Sequence, residues 1–410
     1  MPGRKEIRAS SDIIHNFCDS KRLDKIGARY NPGMIYLDGN SLGLLTDEAE
    51  AAVLRTLAEW RELAIHGWTE GTHPWLFLAE RTGAQLARLV GAEAASVIAT
   101  GSITVNLHQL LATLYDGKRK VLIDEGAFPT DRYALQSHLA LRGVPGALEA
   151  VAPDEAAVEA AFATGEFSCA VLPSVVYTTG RLLDIARLAA SARAQGVVLL
   201  WDLAHSIGIV PHQLDAWGCD AAFWCGYKWL AAGPGSVGGL YLNRRHHEKT
   251  PGLQGWFGSR KEALFANDDT LQPADGAARL QLGTSHVLSL APLEVTAKAL
   301  ADYGIERLRT ESLALTSLLR AEAEKAGFTV ATPREDSQRG GHLAILHPQA
   351  AALCRGLRRH EIIPDHRPPD LIRFAPHPLY TSPEDCRAAI ARLAQLVAEG
   401  VHAEGGGLVP

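Results

Sequence analysis

From about residue 95 onward, short apolar runs alternate with amphipathic stretches. "ASVIAT" predicts a strand that leads into a helix over "GSITVNLHQLLATLY". "KVLIDEGAF" and "FSCAVLPSVVY" predict two further strands, and "DIARLAASARAQG" a helix stopped by its glycine. "VVLLWDLA", "AAFWCGYK" and "SVGGLYLN" follow as three more strands. Several of these runs are apolar without alternation, the pattern of strands covered on both faces. Strands interleaved with helices of this length predict an α/β fold around a mainly parallel sheet.

The pattern differs at either end. "MIYLDGNSLGLL" reads as an extended stretch that closes in a turn, and "TDEAEAAVLRTLAEWRELAIHG" as a helix capped by Thr46, with Gly67 past its end. "WLFLAERTGAQLARLVGA" has helical spacing too. Residues 254–289 are rich in loop signals, after which "LEVTAKALADYGIERLRTESLALTSLLRAEAEKAG" predicts one long helical segment. "HLAILH", "LIRFAPHP" and a closing helix predict a smaller α+β unit. The expected division is an N-terminal segment over 1–45 that serves the site and the small domain, a large α/β domain over 46–290, and a small domain over 291–410.

Composition narrows the classes. The 410 residues are 47% hydrophobic and carry a net charge of -6, enough for one large and one small core. That charge argues against a general surface for nucleic acid or an anionic membrane. No apolar run approaches a bilayer-crossing length, and "MPGRKEIRASSDIIHNF" lacks the apolar core of a signal peptide. Six scattered cysteines without a CxxC pair, and no HExxH, predict a reduced, cytoplasmic protein without a metal site.

Ligands in open α/β sheets collect at the carboxyl ends of the strands, and four features fall there. In "ATGSITVNLHQLL" a Gly-Ser turn opens a helix; Ser102 as an ordinary cap explains it, and so does a phosphate on the first-turn amides. In "EGAFPTDRYAL", Phe128 offers a ring platform held by Pro129, while Thr130 or Asp131 offers polar groups or a helix cap. In "VVLLWDLAHSIG", Asp202 ends an apolar run and needs a cation or donors to stay ionised, with small Ala204 and His205 beside it. In "CGYKWLAAGPG", Lys228 follows Tyr227 at the end of an apolar strand. A solvated surface lysine is the ordinary reading of such a position. An amine, an acid, a ring platform and a phosphate cradle together, however, match the needs of pyridoxal phosphate.

Read together, "LDGNSLGL", "TVNLH", "FPTD", "WDLAHSIG", "WCGYKWLAAGPGSVGG", "GWFG" and "IRFAPHPLY" resemble the kynureninases, fold-type-I members of the pyridoxal-phosphate aminotransferase superfamily. The resemblance implies hydrolysis of L-kynurenine, or its 3-hydroxy form, to anthranilate or 3-hydroxyanthranilate and L-alanine, a step of tryptophan degradation. It implies that Lys228 forms the Schiff base, that Tyr227 contacts the phosphate and assists proton transfer, and that Asp202 pairs with the pyridine nitrogen. His205 completes that side, Phe128 stacks on the ring and Asp131 supports it. Ile103 and Thr104 lie at the phosphate end, where Trp256 and Thr284 reach in from the second subunit of a homodimer. Arg373 holds the substrate carboxylate in a bidentate pair, and Ser41 and Trp68 lie near the substrate side chain. Pro173 stands where a hydroxyl residue contacting the cofactor is expected, with Ser174 next to it, and Trp68 where other members carry histidine. The rivals are a cysteine desulfurase, for which Cys354 is the cysteine in the right region, an aminotransferase, and a cofactor-binding regulator.

Overall fold

The computed structural model describes residues 33–266 and 268–400. The signal-peptide reading of the first residues, Cys18, most of the 1–45 segment and the glycine-rich tail lie outside the described residues. β1 (Ile35–Tyr36) is followed by β2 (Val97–Ala99), β3 (Lys120–Asp124), β4 (Leu148–Val151) and β5 (Phe167–Pro173). β6 (Val198–Asp202), β7 (Ala221–Trp224) and β8 (Gly239–Leu242) complete a seven-stranded sheet of order β2-β8-β7-β6-β5-β3-β4.

Only β8 runs against its neighbours; β7, β6, β5, β3 and β4 pair in parallel, and β2 is antiparallel to β8. β2, β3, β5, β6 and β7 therefore all end at one edge of the sheet. β6, β7 and β8 are buried almost throughout, which is why their sequences show apolar runs rather than alternation. β4 and the helix Glu155–Ala163 behind it were not anticipated: β4 is an edge strand with two exposed residues out of its four, so its apolar signal is weak.

Helix starts follow local chemistry. Thr46 Oγ1 accepts the Ala49 N–H and Ser102 Oγ the Val105 N–H, each satisfying a first-turn amide. Before the Pro129–Leu141 helix, however, Phe128 occupies the cap position and Pro129 the first turn, so neither Thr130 nor Asp131 caps it. The expected long helix is two, Val287–Tyr303 and Ile305–Lys325. They break at Gly304, whose φ of 96° lies outside the helical range and is one that glycine adopts freely.

β9 (Thr329–Val330), β10 (Leu343–Leu346), β11 (Ile362–Ile363), β12 (Asp365–Arg367) and β13 (Leu371–Phe374) form the C-terminal part. β12-β13-β10-β9 is an antiparallel sheet, and β1 pairs in parallel with β11. Two large apolar clusters divide the interior, with a third, of Ile209, Val210, Trp229 and Ala375. The larger runs from Leu78 to Leu308 and includes Leu290, Leu293, Ala297 and Leu300 of the Val287–Tyr303 helix; the smaller joins Leu37 to residues between Leu315 and Leu396.

Candidate active site

At the carboxyl edge of the large sheet lies a cavity of about 270 Å³. Ile103, Thr104, Phe128, Thr130, Pro173, Asp202, Ala204, His205, Tyr227 and Lys228 all line it. Each comes from a strand end, the connection after it or the first turn of the helix that follows, because the parallel strands finish together and their connections must cross that edge. β7 stops at Trp224, so Lys228 stands four residues beyond the strand in a turn. That turn is pinned from the other side, where the Gly43 N–H donates to Tyr227 O at 2.8 Å.

Lys228 is half-buried, and its Nζ lies 3.1 Å from His205 Nε2 and 5.9 Å from the centre of the Phe128 ring. Burial, with Lys228 and Arg373 nearby, holds His205 well below the usual histidine range, so its ring is neutral at physiological pH. Asp202 Oδ1 accepts the Ala204 N–H at 2.8 Å. Burial raises its pKa while the Lys228 charge opposes the rise. Asp131, also buried, is pushed well above the carboxylate range by burial and by Asp202 and Asp124.

Asp124 is the residue the sequence reading missed: it ends β3 in the cavity wall, and burial lifts its pKa to about 6. The signal was present, since Asp124 terminates "KVLI" as Asp202 terminates "VVLLW". Tyr177 and Ser236 also line the cavity. The Tyr177 ring meets Phe128 edge-on at 5.4 Å.

Pro173 faces the cavity and contributes no donor. Ser174 does not take its place, because its hydroxyl donates to Asp202 O at 2.9 Å and pairs with Ser206 Oγ at 2.6 Å. Tyr227 shares a hydrogen bond with the Cys225 thiol, and burial with that neighbour raises its pKa, so the phenol keeps its proton. Cys225, not Cys354, is the cysteine in the cavity wall. Cys354 is fully buried in the Ala350–Arg358 helix, and its thiol is pushed up to about 12 by burial.

Other expected residues lie outside this cavity. Arg373 is fully buried on β13, ion-paired with Asp365, and burial lowers its pKa to about 10. Ser41 Oγ donates to Asp365 Oδ2 at 3.3 Å and stands 3.5 Å from Arg373 Nη2. Trp68 lines a second, apolar cavity of about 590 Å³ with Trp60, Ile65, Trp75 and Leu288. Trp256 is half-exposed with its Nε1–H on Leu264 O, and Thr284 is exposed. No cluster of metal-ligating side chains occurs among the described residues.

The cavity suits pyridoxal phosphate on its own chemistry. It presents an amine, an acid across from it, a flat ring, and the first-turn amides of the Ile103–Leu114 helix beside Thr104 and Thr130. His205 Nδ1 is buried in the wall without a hydrogen-bond partner among the described residues, as polar atoms are where a ligand completes the wall; Asp131 Oδ1 is likewise unpaired, but Asp131 and Pro129 do not line the cavity.

Solved structures share the fold. The cystine C–S lyase C-DES with its product cysteine persulfide superposes with a TM-score of 0.77 at 20% identity, covering 88% of this chain and 98% of its own. The cysteine desulfurase of Thermococcus onnurineus NA1 gives 0.75 at 17%, covering 89% and 95%. At such identities the likeness shows the fold, that of the type-I pyridoxal-phosphate enzymes.

Sequence relatives go further. The kynureninase of Geobacillus thermodenitrificans is 45% identical over 369 residues, covering 86% of each chain. That of Bacillus cereus is 44% identical over 386 residues, covering 89% of each. The family model "Kynureninase C-terminal domain" matches residues 308–393. The chain belongs to the kynureninase family, pyridoxal-phosphate enzymes that hydrolyse L-kynurenine.

Proposed function

We propose that Lys228, Asp202 and Tyr227 carry the family's reaction, hydrolytic cleavage of the Cβ–Cγ bond of L-kynurenine to anthranilate and L-alanine. The observation that supports this assignment is the shared cavity, in which the Lys228 amine and the Asp202 carboxylate face one space beside the Phe128 ring. Pyridoxal phosphate, when bound, supplies the electron sink for the bond that breaks.

Lys228 would tether the cofactor, and its Nζ amine would take and return the substrate's α-proton. Asp202, fixed by the Ala204 N–H, holds negative charge toward the pyridine nitrogen. Phe128 and Ala204 confine the ring, while Ile103, Thr104 and Thr130 cradle the phosphate, with Pro129 and Asp131 fixing that wall and His205 its other side. Arg373 orients the substrate by its carboxylate. The Tyr227 phenol, kept protonated by burial, is the donor for the alanine carbon. One water is consumed, its hydroxyl going to the acyl carbon and its proton balance to alanine.

A homodimer with shared sites follows from the same reading. Trp68, Trp256 and Thr284 stand apart from the Lys228 cavity but near one another: Trp68 packs on Phe257 at 6.1 Å, Phe257 on Trp256 at 5.6 Å, and Ser285 lines the Trp68 cavity. Trp60 and Ile65 on that side are 58% and 72% exposed, a large apolar surface of the kind that association covers. In this reading those three residues serve the neighbouring subunit's site, and sedimentation at micromolar concentration tests it.

No helix of the described residues is long and apolar enough to cross a membrane, in keeping with a cytoplasmic enzyme. The functional division is the segment up to 45, a cofactor-binding unit from 46 and a smaller unit beyond 290, with the Val287–Tyr303 helix travelling with the large core.

Anthranilate fluorescence on mixing the holoenzyme with L-kynurenine tests the assignment, run in parallel with 3-hydroxykynurenine. Sulfide release from cysteine, or amino-group exchange with a keto acid, in place of anthranilate would reject it.

A further inference from the structure

This inference rests on Arg373 as the residue that binds the substrate carboxylate. β12 and β13 set Asp365 directly opposite Arg373. Both side chains are fully buried, and Arg373 Nη2 is ion-paired with Asp365 Oδ2. A guanidinium removed from water is strongly destabilising unless an anion meets it, so the pair explains how Arg373 stays charged there.

The donors of Arg373 are divided among its neighbours. Nη1 donates to Tyr177 O at 2.5 Å. Nη2 is shared between Asp365 and Ser41 Oγ. Nε has no partner among the described residues. A side-on bidentate carboxylate would therefore share Nη2 with Asp365, whereas Nε, buried as it is, has no competing partner among the described residues.

Asp365 Oδ2 also takes Arg367 Nη2 at 3.0 Å and the Ser41 hydroxyl at 3.3 Å. One oxygen thus joins the β12–β13 hairpin to the turn after β1, and through Arg373 to the loop after β5. The local charge count points the same way. Asp38, itself buried, interacts with Arg373, Arg367 and Arg358. Three guanidinium groups face two carboxylates, Asp38 and Asp365, which leaves one positive charge for an incoming anion.

We infer that Asp365 is a positioning residue for substrate recognition: it holds the Arg373 guanidinium with Nη2 engaged and Nε without a competing partner, and by cancelling one arginine charge it fits the site to a single carboxylate. It acts through Arg373 and touches no reacting atom.

The test compares Asp365→Asn, the double variant Asp365→Asn/Arg367→Gln and Arg373→Gln as holoenzymes, reading KM and kcat for L-kynurenine and the visible absorption of the bound cofactor. The double variant restores the charge count without restoring the contact. Both Asp365 variants are expected to raise KM about ten- to a hundredfold, the scale of a charge-assisted hydrogen bond, with kcat and absorption little changed. A wild-type KM in either Asp365 variant overturns the inference, because neither variant keeps the carboxylate contact that engages Nη2. If Arg373→Gln leaves KM unaltered, the carboxylate reading of Arg373 fails instead, a separate result. Should Asp365→Asn fail to fold, the charge-balanced double variant carries the test.

Discussion

Lys228 Nζ lies 3.1 Å from the Nε2 of a histidine, His205, that burial keeps neutral. The contact contributes a hydrogen bond and no charge. The charge opposite the lysine comes instead from Asp202 at the end of β6, whose carboxylate the Lys228 charge favours against its burial. The amine is thereby steered on one side and electrostatically balanced on the other.

Lys228→Ala is expected to abolish the visible band of the lysine-bound cofactor and to lower kcat/KM by at least ~100-fold, the minimum for losing a placed proton-transfer group. An absorption spectrum and a single turnover experiment check it. His205→Gln, which keeps a neutral hydrogen-bonding side chain, is expected to retain the band, with its pH midpoint moved by less than about one unit.

Asp202→Asn keeps the shape of β6 and removes its terminal charge. Cofactor affinity, read by titrating apoprotein, is expected to fall about 10- to 100-fold, as for a hydrogen bond between charged partners. An unchanged affinity would place the pyridine nitrogen elsewhere.

Gly43 approaches the lysine turn too closely for a side chain. A Cβ there would lie 2.5 Å from Lys228 O and 2.6 Å from the Ala231 Cα, both backbone atoms that cannot rotate away. Gly43→Ala is expected to cost about 1–3 kcal/mol by overpacking and to weaken cofactor binding with it. Denaturation and cofactor titration report the two effects separately.

Acid should destabilise the apoprotein through histidines that are buried neutral. Burial lowers His212 to about 3 and His377 to about 4. An unfolded chain protonates both near 6.5, so the unfolded state binds more protons between that value and the folded ones. Stability is complete above about pH 6.5 and falls as pH drops, each histidine costing about 2 kcal/mol at pH 5. His212→Gln should flatten the decline of Tm between pH 7 and 5. An equally steep decline would exclude His212 as a contributor.

The residues around Lys228 were legible because strand-end chemistry is local. A lysine closing an apolar run, an acid closing another and a capped helix after a Gly-Ser turn are visible in short stretches, although β7 itself stops at Trp224, four residues short of the lysine. Asp124 had the same signature and was passed over, since a lone acid at a strand end also reads as an ordinary solvated stop. β4 escaped because an edge strand with exposed residues carries little apolar pattern.

Trp68, Trp256 and Thr284 show the limit of sequence adjacency. The family resemblance marked each of them, yet within one chain Trp68 and Trp256 lie on an aromatic face apart from the Lys228 cavity, with Thr284 next in sequence to Ser285 of the Trp68 cavity. Arg373 is similar: its motif marked it, but its buried partner Asp365 could not be found from spacing, as the two meet only through antiparallel register.

The sequence by itself determined the alternation of strands and helices, the family, and most of the residue types that line the Lys228 cavity, because those depend on patterns within a few residues. Only the tertiary structure decided which carboxyls share one cavity, that Ser174 turns into the core while Pro173 faces the site, and how Arg373 divides its donors. Those outcomes depend on strand direction and register, which bring together groups hundreds of residues apart and set the burial on which their charge states depend.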